Sequence, residues 1–139
     1  MYKRQFIISL HFFKWESIPE KHIIQVTPFF YFLGFFLIII AFIILLVAIK
    51  DLGRNLSPFP RPLKNSNLVT TGIYRFTRHP MYYSLIFVSF GVFITKLTIY
   101  YLFLSISLVL IIKSKIALEE QYLNNKFKNY LLYKNEVKY

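Results

Sequence analysis

Hydrophobic and polar positions fall in long blocks along this chain, not in the short alternations of a soluble domain. From Phe29 to Ile49 there are 21 residues without a charge, about the length that crosses a hydrocarbon core of roughly 30 Å as a helix. From Met81 to Ile112 there are 32 residues in which Lys96 is the only charge. As a single helix this second block would be about 48 Å long at 1.5 Å per residue, more than the core needs. Broken near Thr95-Lys96-Leu97-Thr98, it gives a hairpin of two spans of about 15 residues each, short enough to need tilt, thinning or a snorkelling Lys96. A single tilted helix would put the two basic flanks on opposite faces, so the hairpin is expected, although neither Gly nor Pro marks its turn. The pattern predicts an all-α integral membrane protein with about three transmembrane helices.

The polar stretches set the topology. Lys50 to His79 is rich in turn formers, with Gly53, Pro58, Pro60, Pro62, Asn65, Asn67 and Gly72. Three prolines within five residues preclude a continuous helix there. Six Lys or Arg against one acid, Asp51, place this stretch on the cytoplasmic side. After Ile112, the residues Ile116, Glu119, Leu123, Phe127 and Tyr130 recur at helical spacing, which predicts an amphipathic helix along the membrane surface. Near the N-terminus the apolar run Phe6–Phe13 is too short to span, and Trp15 suits an interfacial anchor. One domain, 1–139, is therefore expected: an interfacial segment (1–27), a spanning helix (28–50), a cytosolic loop (51–80), a transmembrane hairpin (81–112) and an amphipathic C-terminal helix (113–139).

Composition narrows the function. With 56% hydrophobic and 20% aromatic residues, the chain is too apolar for an ordinary soluble domain. The net charge of +11 is read as marking cytoplasmic flanks, and with no RNA-binding signature no nucleic-acid partner is expected. There is no cysteine, and the three histidines are scattered. Thiolate chemistry is excluded and no metal is expected. His11 and His22 read as surface or interfacial residues.

Two places carry chemistry. One is LVTTGIYRFTRHPMY, Leu68 to Tyr82, where a histidine stands at the junction of loop and apolar run. The other is the pair Glu119-Glu120, just beyond the last apolar run. Taken alone, His79 before Pro80 reads as a helix-start residue, and the glutamates as a solvated pair. Four of the five arginines, Arg54, Arg61, Arg75 and Arg78, lie in the loop of a chain that otherwise prefers Lys. Their planar forks suit carboxylates and phosphates, or helix caps and lipid headgroups.

LGRNLSPFPRP (Leu52 to Pro62), then LVTTGIYRFTRHPMY, an apolar hairpin, and EEQYL with later Phe and Tyr resembles the isoprenylcysteine carboxyl methyltransferase family. That family belongs to a wider set of membrane methyltransferases including the phospholipid N-methyltransferases. The likeness runs from Leu52 to about Val137 and rests on an Arg-His-Pro-x-Tyr step, a hydrophobic stretch and a Glu-Glu pair in that order. It implies an enzyme that binds S-adenosylmethionine on the cytosolic side and methylates a membrane lipid or lipidated substrate. Carried across by position, it selects Leu68, Val69, Tyr74, His79, Pro80, Tyr82 and Glu119, with Glu120 beside it, for the cofactor. Lys115 stands where members have a substrate-side arginine. Ile73 replaces a frequent proline, Ser84 replaces a glycine, and members usually have more spanning helices.

An acceptor carboxylate would need a nearby cation, Lys115 or Arg78; an acceptor amine must lose a proton, for which His79 or a glutamate is the candidate base. Two other functions compete: a sterol-type reductase using NADPH, and a non-catalytic membrane subunit. The complete Arg-His-Pro-Met-Tyr plus Glu-Glu pattern favours the methyl donor. The expected location is a bacterial inner membrane, with the active site facing the cytoplasm.

Overall fold

The computed structural model describes residues 28–57 and 59–137; the interfacial segment expected at 1–27 lies outside the described residues. Among the described residues all regular structure is helical. Helix α1 runs over Pro28–Leu52, α2 over Pro80–Lys96, α3 over Ile99–Lys126 and α4 over Tyr130–Glu136. Two single turns of 3-10 helix, Gly53–Asn55 and Gly72–Arg75, punctuate the loop between α1 and α2. By length and composition α1 and α3 are able to cross a membrane. α2 is apolar but only 17 residues long.

Small residues join α1 to α2. The buried positions of α1 are Gly34, Ala41 and Ala48, each seven residues from the next. Those of α2 include Ser84 and Gly91, also seven apart. A Cβ added at Gly34 would lie 2.6 Å from the Gly91 carbonyl oxygen and 2.9 Å from the Thr95 amide nitrogen. The two backbones are therefore in contact and antiparallel, a register that puts Ala41 opposite Ser84. Within lipid there is little hydrophobic drive between helices, so such close approach and interhelical hydrogen bonds do the holding. Ser84, where the resemblance expects glycine, is fully buried, and its hydroxyl donates back to the Met81 carbonyl at 2.7 Å. Between α2 and α3 the Ser89 hydroxyl donates to the Ser105 hydroxyl at 2.8 Å.

Gly34→Ala tests this packing. Its Cβ would meet backbone atoms, which cannot swing aside, so overpacking should cost about 1–3 kcal/mol. The unfolding midpoint in detergent should fall, whereas Phe32→Ala, at a residue 75% exposed, should leave it nearly unchanged.

The α2–α3 hairpin turns at Leu97–Thr98, where the sequence predicts it. Leu97 itself adopts the left-handed conformation, φ 42°, and its N–H donates to the Phe93 carbonyl at 2.7 Å. Glycine usually takes this position; a leucine there costs on the order of 1–2 kcal/mol and gives no turn signal in sequence.

The expected boundary at Ile112 is not a helix end. α3 continues unbroken to Lys126, because no Gly or Pro lies between Ile99 and Lys126 and residues such as Lys115, Ala117, Leu118 and Glu119 are good helix formers. The amphipathic helix expected at 113–139 is thus the end of α3, a break at Phe127–Asn129, and the separate α4. Glu119 and Glu120 consequently ride on a stiff extension of α3, at the same end of the bundle as the last turn of α1 and the start of α2.

Candidate active site

The loop is fastened to α1 and α3 before it reaches the histidine. The Ile73 N–H donates to Asp51 Oδ2 at 2.7 Å. Gly72 is left-handed, φ 62°, and a Cβ there would collide with the Asp51 carboxylate. A proline at 73 has no N–H to donate, so Ile73, where the resemblance allows proline, gives Asp51 its partner. Tyr74 is buried, and its hydroxyl donates to the Ala48 carbonyl at 3.4 Å. Farther out, the Lys126 ammonium donates to the Leu63 carbonyl, the Lys64 carbonyl (3.1 Å) and the Ser66 hydroxyl (2.8 Å).

The end of α1, the loop, α3 and α4 line a cleft that opens to solvent, with room for about 100 Å³ inside it. Leu68, Val69 and Tyr74 line it from the loop, Glu119 and Leu123 from α3, and Tyr130 and Tyr133 from α4. Arg61 stands in the same wall, its guanidinium 5.2 Å from the centre of the Tyr122 ring. Tyr130 is 1% exposed, and its hydroxyl interacts with the Glu120 carboxylate.

The adjacent glutamates part company. Successive residues on an α-helix point about 100° apart, and only Glu119 faces the cavity. Glu120 turns to the Arg-His step: its Oε1 accepts from Arg78 Nη2 at 2.9 Å and lies 3.3 Å from His79 Nε2. Its Oε2 accepts from Lys134 Nζ at 2.6 Å. The His79 contact requires the proton on Nε2, leaving Nδ1 as the acceptor. Burial pushes the His79 imidazole below its ordinary value, against the opposing pull of Glu119 and Glu120, with Arg78 adding to the depression. Burial raises the Tyr74 and Tyr130 phenols and pushes Tyr133 up to about 12, so all three are protonated donors at neutral pH.

The two clusters singled out in sequence therefore meet. Leu68, Val69, Tyr74, Arg78 and Glu119 line the cavity. His79, Pro80, Tyr82 and Glu120 pack behind its wall; His79 and Pro80 are buried, and the Tyr82 phenol interacts with Glu119. Lys115 is exposed one turn before Glu119 and is not part of the lining. Sequence reasoning overlooked Asp51, whose signal was its standing as the lone acid of a basic loop. Tyr130 and Tyr133 carry no site role in the sequence, and Arg61 stands there only as one of four loop arginines suited to carboxylates and phosphates; the folded chain brings the three together.

The described residues are thus an all-helical bundle with two helices long and apolar enough to cross a membrane and a cleft of mixed polar and apolar lining where they end. Residues 29–130 match the family model for phospholipid methyltransferase, and the chain belongs to that family of membrane methyltransferases. No curated protein and no solved structure matches it.

Proposed function

We propose that the chain uses S-adenosylmethionine to methylate an amine borne on a membrane lipid, at a site on the cytoplasmic face. The observation that carries this reading is the cavity between the Leu68–Tyr82 stretch and the end of α3, with Glu119 as its acceptor. The lining suits the group: a carboxylate for an ammonium or ribose hydroxyls, Arg61 for a carboxylate, and Leu68, Val69 and Leu123 for a flat base. When bound, S-adenosylmethionine supplies an electrophilic methyl group on a sulfonium cation.

The protein's part is positioning and exclusion of water. The Tyr74, Tyr130 and Tyr133 rings offer faces that attract a cation. An amine must lose its proton before attack, and Glu119, the carboxylate in the lining, is the candidate base, with His79 standing behind the wall. The engagement of Arg78 with Glu120 favours an amine over a carboxylate acceptor, because it removes one of the two cations proposed to steady a carboxylate. Lys115, the other, is exposed outside the lining.

Methyl-labelled donor supplied with fractionated membrane lipids tests the acceptor. Acid- and base-stable label in amine-bearing lipids is expected; label confined to base-labile methyl esters would contradict it. The proposed topology has α1, α2 and α3 all crossing. Reporters at residue 65 and at the C-terminus should both read cytoplasmic, and one at Lys96 external. Opposite readings at 65 and the C-terminus would refute the three-span arrangement.

A further inference from the structure

Arg78 makes contacts that a group serving the substrate would not need. One nitrogen, Nη2, donates to Glu120 on α3. The other, Nη1, donates to the Lys134 carbonyl at 3.1 Å and the Val137 carbonyl at 2.8 Å, at the C-terminal end of α4. The last carbonyls of a helix have no partner within it, and a cation there is favoured by the helix dipole as well. α4 is only seven residues long, too short to persist alone. It contributes Tyr130 and Tyr133 to the cavity, while Leu131 and Leu132 on its other side are 56% and 65% exposed. It is also tied by the Tyr133 hydroxyl donating to the Tyr74 carbonyl at 2.6 Å, by Lys134 to Glu120 and by the Tyr130 phenol interacting with Glu120.

We infer that Arg78 is a positioning residue that acts through α4: bridging Glu120 to the last carbonyls of that helix, it holds α4 shut as the outer wall of the cavity. The fork is what the task requires, since one side chain must reach a carboxylate on one helix and two carbonyls on another. A lysine keeps the charge but cannot span both. Arg78 thereby governs how long a ligand stays in the cavity, through the position of α4.

Hydrogen exchange on the ligand-free full-length protein in detergent tests the clasp independently of any function. In Arg78→Gln and in the milder Arg78→Lys, amides of residues 130–137 should exchange at least about tenfold faster, with 80–112 unchanged. The kinetic arm rests on the donor-binding reading above. The S-adenosylhomocysteine off-rate and the KM for the donor should rise about tenfold, with kcat at saturating donor within about threefold of wild type. Unchanged exchange at 130–137 overturns the inference, as does a fall in kcat at saturation that Arg78→Lys restores, the mark of a charge acting on the reaction. If wild type binds no S-adenosylhomocysteine, the cofactor reading fails, and the exchange result still decides the clasp.

Discussion

Glu120→Leu should lower stability by about 3 kcal/mol, near the bottom of the range for breaking a buried ion pair from one side. The loss comes from what stays behind. Arg78, whose side chain is 13% exposed, and Glu120, 14% exposed, are mostly out of water, so the guanidinium would keep its charge and lose its acceptor. Lys134 is 42% exposed and can return to solvent, so its pairing adds little. His79 would lose the acceptor for its Nε2 proton. Denaturant unfolding in mixed micelles measures the difference; a loss under about 1 kcal/mol would show that solvent already screens the cluster.

The same cluster has a pH signature. Because burial holds the folded-state His79 pKa below 6.5, the unfolded chain takes up a proton at a higher pH than the folded one. Stability from this residue is complete above 6.5 and is lost as pH falls from there toward the folded value. Wild type should therefore melt progressively lower below pH 6.5, and His79→Gln should show a flatter profile.

Glu119→Gln should behave in the opposite way, weakening S-adenosylhomocysteine binding at least about tenfold with stability changed by less than about 1 kcal/mol. A hydrogen bond to a charged group contributes about 1.5–3 kcal/mol, and tenfold is about 1.4 kcal/mol. Glu119 faces the cavity and, among the described residues, forms no salt bridge, so removing its charge leaves no cation stranded. His79→Ala should weaken binding by a similar factor but lower stability too, because the ring is buried behind the wall. Equal binding losses from Glu119→Gln and Glu120→Gln, with equal stability, would erase the division between the two acids.

That division marks where sequence stopped being informative. The uncharged run of α1, the Lys96 break and the basic loop follow from side-chain solvation, which is local, and were legible. The end of α3 was not, because a change from apolar to polar residues alters where a helix sits without stopping it. The Gly34, Ala41, Ala48 repeat was visible in the letters, but its meaning depended on the matching Ser84 and Gly91 on another helix. Which glutamate faces the cavity depends on the rotation of α3, fixed by the Ser89–Ser105 contact and the hairpin turn. Arg61 on Tyr122 and Arg78 on α4 join residues 61 and 59 positions apart, as from Arg61 to Tyr122 and Arg78 to Val137, beyond the reach of any periodicity.

The most direct measurement is a calorimetric titration of the detergent-purified full-length protein with S-adenosylhomocysteine and, separately, with NADPH. Saturable binding of S-adenosylhomocysteine that Glu119→Gln weakens at least about tenfold, with no binding of NADPH, is the predicted result. Tight NADPH binding without S-adenosylhomocysteine binding would contradict the assignment of the cavity to a methyl donor.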